Sequence, residues 1–280
     1  MFILADSCCD LSPELRERTG ALTAPLTITI SGKDYIDDGS IDIPAFIDAM
    51  KASSEPGRSA CPSPDQYEQL INAQEGDCFI VTLSSNLSGS YNAAALGAQL
   101  AQETKPGRRI HIVDSESASA GETFLALMIR DLIDAGRSFE EIVELVTEKM
   151  RTMNTIFVLD SLDNLVKNGR VSKAVATVAG LLSIRLVMSD DGHGRIKQLG
   201  KARGIKAALS SMVDVCRKHT EGSEPGSRRL VLSYCNCPER AALVRDMIRA
   251  KCPAIGEIIM TPTSGLSSMY AYDGGVVIAY

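Results

Sequence analysis

Short apolar runs recur along the first half of the chain, and each ends in a polar, small-residue turn that opens onto a helical pattern. Phe2 to Ala5 runs into Asp6-Ser7-Cys8-Cys9-Asp10, followed by Ser12-Pro13, the signature of a capped helix start. Cys78 to Leu83 runs into Ser84-Ser85-Asn86-Leu87-Ser88-Gly89, then the Ala-rich helical stretch Ser90 to Gln102. Arg109 to Val113 runs into Asp114-Ser115, then the helical stretch Glu122 to Asp134. Apolar runs of this length suit parallel strands covered on both faces. Three such units predict a parallel sheet with helical crossovers.

Other patterns fill the intervals. Leu26 to Ile30 alternates, and with the turn Ser31-Gly32-Lys33 and Asp34-Tyr35-Ile36 it predicts a hairpin. Ile43 to Lys51 has helical spacing. Each proline restricts the residue before it, so Ser59 to Pro62 reads as an extended arm ahead of a helix from Pro64 to Asn72. Ser138 and Glu141 are spaced as a capping box.

The composition shifts near residue 155. Thr155 to Leu159 reads as a strand, and Asp160 to Val171 as a helical turn closed by Asn168-Gly169. Ala174 to Leu186 is apolar and rich in small residues, and Arg195 to Lys201 reads as a polar edge strand. Helices are expected at Ile205 to Lys218 and Pro238 to Lys251, and strands at Leu230 to Tyr234, Glu257 to Met260 and in the C-terminal Gly274-Gly275-Val276-Val277-Ile278 run. The expected fold is α/β in two domains. Residues 1–153 would hold a mostly parallel sheet with flanking helices, and 154–280 a mixed or antiparallel sheet; 280 residues suffice for both.

Charge and rare residues narrow the chemistry. The net charge of -6 is interspersed, with no basic stripe for nucleic acid or an anionic membrane surface. Met1 to Ala5 is followed at once by Asp6, which is no signal sequence, and nothing approaches a membrane span, so the expected location is cytoplasmic. The eight cysteines are scattered and read as free thiols. None of His111, His193 and His219 is spaced to complete a zinc site, so no metal is expected. Gly-x-Ser-x-Gly, Walker and Gly-x-Gly-x-x-Gly motifs are absent, which disfavours the common hydrolase and nucleotide-binding classes.

What remains is the chemistry of strand ends. A strand end facing a helix N-terminus favours an anion, because unpaired N–H groups and the helix dipole converge there. Ser85, Ser88 and Gly89 therefore either form a carboxylate or phosphate site or merely cap a helix. Asp6, Ser7, Asp114 and Ser115 either line that site or hydrogen-bond the turn backbone. Ser59 on the arm offers a hydroxyl, and Arg170, after a Gly-closed turn, offers a planar fork to a carboxylate.

Together, in order and spacing, these segments resemble the DegV family of bacterial lipid-binding proteins along essentially the whole chain. The resemblance rests on Asp6-Ser7 with Asp10-Leu11, the Ser59 to Pro64 arm, Leu83 to Tyr91, Asp114-Ser115 with Ser119 and Gly121, Leu162 to Arg170, and the C-terminal glycines. It implies a non-catalytic carrier with no cofactor, holding a long-chain fatty acid such as palmitate or oleate in a tunnel between the domains. Carried over by position, Ser59, Ser88 and Arg170 would hold the carboxylate. It also implies a partner fatty-acid kinase, with Arg203 and Lys206 as contacts. Two departures stand out. The arm reads Ser59-Ala60-Cys61-Pro62-Ser63 where the family has Thr-Ser-Gln-Pro-Ser, and Tyr270 to Asp273 lacks the histidine of kinase-linked members. The rival readings are an enzyme processing a small phosphoryl or acyl substrate with Asp6, Asp114 and the serines, and a regulatory module whose ligand switches a partner.

Overall fold

The structure, a computed structural model, describes residues 1–175 and 183–280. The first half runs β1 (Phe2–Asp6), α1 (Pro13–Thr19), β2 (Leu22–Ala24), β3 (Thr27–Ile30), β4 (Lys33–Ile36), α2 (Ile43–Ala52), β5 (Arg58–Ala60), α3 (Pro64–Asn72), β6 (Cys78–Thr82), α4 (Ser90–Thr104), β7 (Ile110–Asp114), α5 (Ala120–Asp134) and α6 (Phe139–Thr152). The second half continues with β8 (Thr155–Val158), α7 (Asp163–Lys167), β9 (Ile184–Asp190), β10 (Ile196–Arg203), α8 (Ile205–His219), β11 (Arg228–Tyr234), α9 (Pro238–Lys251), β12 (Ile255–Pro262), α10 (Gly265–Ala271) and β13 (Val276–Ala279). Part of the apolar stretch 174 to 186, residues 176–182, lies outside the described residues.

β2, β1, β6 and β7 form a parallel sheet in that order, as the three strand-turn-helix units require. β6 is buried at every position, so both its faces need cover. Tyr67, Ile71 and Ala94 of α3 and α4 cover one face; Phe124, Leu125 and Ile129 of α5 cover the other. A Cβ at Gly97 of α4 would come within 2.5 Å of the Pro64 carbonyl and of Tyr67, which explains how α3 and α4 pack so closely. The hairpin β3-β4 gains β5 as a third antiparallel strand, so the arm is a strand with Ser59 opposite Ile28.

The second half builds a six-stranded sheet in the order β10-β9-β8-β13-β11-β12, in which only β11 and β12 pair in parallel. α8 and α9 cover its outer face. Its inner face packs on α5, which touches β1 and β6 on one side and β11 and β13 on the other. That explains why α5 is buried continuously from Ala120 to Leu127: a helix held between two sheets is apolar nearly all round.

Both halves also meet through α10. Asp37, just after β4, accepts hydrogen bonds from the Gly265 and Leu266 amides at 2.7 and 2.9 Å and so caps this helix from a distant part of the chain. Leu266 and Met269 of α10 join Ile28, Phe46, Leu83, Leu159 and Leu165 in one apolar cluster between the halves.

Candidate functional site

The C-terminal ends of β1 and β6 lie side by side, with Ala5 beside Val81. Asp6, fully buried there, accepts from the Cys8 amide at 3.0 Å, the Leu83 amide at 2.9 Å and the Ser90 hydroxyl at 2.6 Å. It thereby pins the turn between β6 and α4. Burial pushes the Asp6 carboxyl above its ordinary range, and neighbouring Glu122, buried beside it, is pushed well up by burial and by Asp6. Ser7 accepts from the Leu26 amide at 3.1 Å. Asp114 accepts the amides of Ser85 at 3.0 Å and Glu116 at 3.3 Å, and the Ser115 hydroxyl bonds the Ser117 backbone. These acids and hydroxyls hold turn backbone.

The Ser88 hydroxyl accepts the Ser90 amide at 3.2 Å at the start of α4, where Gly89 is the N-cap. Its own proton is free to donate elsewhere, since a hydroxyl is donor and acceptor at once. Ser59 shares a sheet face with its cross-strand neighbour Ile28, a member of the apolar cluster between the halves. The arm then abuts the turn: a Cβ at Gly89 would stand 3.3 Å from the Cys61 sulfur.

Arg170 joins these pieces from the second half of the chain. Its Nε donates to the Leu87 carbonyl at 3.1 Å, next to Ser88, and its Nη1 to the Asn168 carbonyl at 2.5 Å. Asn168 in turn donates to the Gly57 carbonyl at 3.0 Å, at the start of the arm. The segments carrying Ser59, Ser88 and Arg170 therefore meet at one place. Asp6, Ser7, Asp114 and Ser115 lie behind it in the turn scaffold.

Beside this junction lies an apolar cavity between the two halves. Leu83, Leu87, Phe157, Leu159, Leu165, Leu266 and Val277 line it, and among the described residues Arg170, Arg195, Glu116 and Asp190 are its charged lining groups. Ser117, Thr155 and Ser189 also line it, and the Ser117 and Thr155 hydroxyls satisfy each other at 2.7 Å. Ser59 and Ser88 border the junction rather than the cavity lining itself. The β9-β10 turn, whose Gly194 and Arg195 also line the cavity, grips the first half: Ser84 donates to the Gly194 carbonyl at 2.9 Å, Asn86 to the His193 carbonyl at 2.8 Å, and Arg195 to the Asn86 side chain at 3.2 Å. The mainly apolar cavity thus has an arginine in its wall, with the hydroxyl turn and the start of α4 beside it.

Sequence patterns did not expose the Leu87 carbonyl, Asn168, Tyr270 or the β9-β10 turn as parts of this site. Leu87 and Asn168 act through groups whose aim depends on tertiary packing. Leu266, Met269 and Tyr270 at helical spacing after Ser264 were the available signal for α10. Among the described residues no cluster of three or more His, Cys, Asp or Glu is placed to hold a metal ion, and all eight cysteines are free. No helix among them is long and apolar enough to cross a membrane. Arg203 and Lys206 are exposed where β10 meets α8, away from the cavity lining.

Known proteins share this architecture. A DegV domain-containing protein of Streptococcus pneumoniae strain ATCC BAA-255 / R6 is 40% identical over 282 residues, covering 99% of this chain and 98% of the relative. The crystal structure of a DegV family protein from Ruminococcus gnavus, refined with vaccenic acid, superposes with a TM-score of 0.93 at 35% identity, covering 100% of this chain and 99% of that one. The Streptococcus pneumoniae Fatty Acid Kinase (Fak) B3 protein, solved loaded with linoleic acid, gives a TM-score of 0.91 at 37% identity over 100% of this chain and 99% of that one. The family model described as uncharacterised protein, DegV family, matches residues 1–280, and with these similarities the chain belongs to the DegV family.

Proposed function

We propose that the protein is a non-catalytic carrier of a long-chain fatty acid, gripped between an N-terminal domain, residues 1–153, and a C-terminal domain, residues 154–280. The acyl chain occupies the apolar cavity, and Ser59, Ser88 and Arg170 hold the carboxylate. The observation that carries this reading is Arg170: it lines a cavity whose wall is mainly apolar, and its side chain is bonded to the Leu87 carbonyl beside Ser88. The solved relatives with vaccenic and linoleic acid support it.

The energetics fit such a ligand. Burying the tail contributes about 0.8 kcal/mol per CH₂. The head needs only charge-assisted hydrogen bonds from a guanidinium, hydroxyls and helix amides, with no metal or cofactor. Of the strand-end acids that an enzyme would use, Asp6 has both oxygens engaged by turn amides and Asp114 holds two turn amides on Oδ1, so both are tied into the turn scaffold. Ser85, Gly89, Asp6, Ser7, Asp114 and Ser115 shape the head-group end from behind. In the cytoplasm the loaded carrier presents its carboxylate to a fatty-acid kinase, with exposed Arg203 and Lys206 as contacts.

Titration of delipidated protein with oleic acid tests the carboxylate assignment. Arg170→Ala and Ser88→Ala each weaken binding by about 1 to 3 kcal/mol, as for lost charge-assisted bonds. Unchanged affinity in both variants would overturn it.

A further inference from the structure

Tyr270 carries a polar atom that the fold leaves without a partner. Its hydroxyl oxygen is closed off from solvent and has no hydrogen-bond partner among the described residues. Buried hydroxyls are nearly always paired, so an unpaired one calls for a specific reason. Other described residues also hold unpaired buried polar atoms: Asn72, Glu122, Arg130 and Ser233. None of those four lines the apolar cavity, whereas Tyr270 does.

The position of the ring adds a second observation. Tyr270 also borders a polar chamber formed with Lys51, Ser161, Asn164 and Lys167, so it stands in the wall between an apolar space and a polar one. That boundary is where an amphipathic ligand changes from tail to head. Tyr270 and Arg170 both line the apolar cavity. Asn164 of α7 donates to the Met269 carbonyl at 2.7 Å, tying the helix that ends near Arg170 to the helix that carries Tyr270.

We propose that the Tyr270 hydroxyl donates to the carboxylate of the bound fatty acid, alongside Arg170, and so favours a free acid over a neutral head group of the same chain. The proposal rests on the fatty-acid reading and adds a determinant of head-group selection to it. The phenol O–H has no acceptor within the chain's described residues, and a carboxylate is an acceptor of the kind it lacks.

The test is Tyr270→Phe in the full chain, which keeps the ring and deletes the hydroxyl. Dissociation constants are measured for oleic acid and for oleyl alcohol, with the melting temperature of the delipidated protein followed in parallel. The expected result is about ten-fold or greater weakening for the acid against about three-fold or less for the alcohol. Delipidated Tyr270→Phe is expected to melt no lower than the wild type, because the substitution removes an unpaired buried group. Equal losses for acid and alcohol, no loss for the acid, or a lower melting point of the ligand-free variant would overturn the role of Tyr270 while leaving the carrier reading intact. A wild-type protein that binds neither ligand would overturn the carrier reading, and the Tyr270 proposal with it.

Discussion

Asp37 shows how a single residue links a distant cap to the stability of the site. It is 1% exposed, its carboxyl holds the first amides of α10, and burial pushes it up to about 6. The folded chain therefore binds a proton at this group more tightly than the unfolded chain does. Its contribution to stability is fully present below about pH 4, falls as pH rises toward about 6, and is constant above; the loss is on the order of 3 kcal/mol. Asp6, Asp10 and Glu122 are also raised by burial and slope the same way, while partly buried Asp77, lowered by Arg109, slopes the opposite way. The Asp37→Asn variant isolates one group. Urea unfolding between pH 4 and 7 should show a shallower fall for the variant than for the wild type, and parallel curves would contradict this account. Legibility at this scale followed reach. Ser88 and Arg170 stood out because their local turns were visible, one before a helix and one after Asn168-Gly169. The role of Asp37 was hidden because its partners lie more than two hundred residues away, and Tyr270 was hidden because a missing partner shows only in the packed structure.

At the scale of elements, what could be read from the chain was whatever completed its own pattern. β1 and β6 carry full apolar runs and β7 one interrupted by His111, and α6 carries both halves of its capping box, Ser138 and Glu141, each bonded as the spacing predicts. β2 and β5 are three residues each, too short for a period, and exist because β1 and β3 offer them edges. α10 lacks a side-chain cap of its own, since Asp37 supplies it. The β9-β10 turn is the element through which the second half clasps the hydroxyl turn. Gly194 there has φ +73, and a Cβ would meet Ser84 Oγ at 2.2 Å and the Glu116 backbone at 2.8 Å. Both the backbone conformation and the space oppose a side chain. Gly194→Ala should cost about 1 to 3 kcal/mol, read as a lower urea midpoint, and an unchanged midpoint would show that the clasp yields freely.

For the whole molecule, the shift in composition near residue 155 coincides with a change of sheet, because no strand is shared between the parallel sheet and the six-stranded one. The halves are nevertheless joined by α5, packed on both sheets, and by α10, capped from the first half. Their apolar seam holds the cavity, so a ligand bound there touches both halves and stabilises the folded chain by mass action, about 2.7 kcal/mol at a hundred-fold excess over Kd. The claim that this cavity carries a fatty acid is tested most directly by native mass spectrometry of the protein as purified from bacterial cells, followed by denaturing extraction of whatever is bound. The account predicts a one-to-one adduct whose released mass is that of a long-chain fatty acid. A bare protein mass, in a sample that also fails to take up added oleate or palmitate, would contradict it.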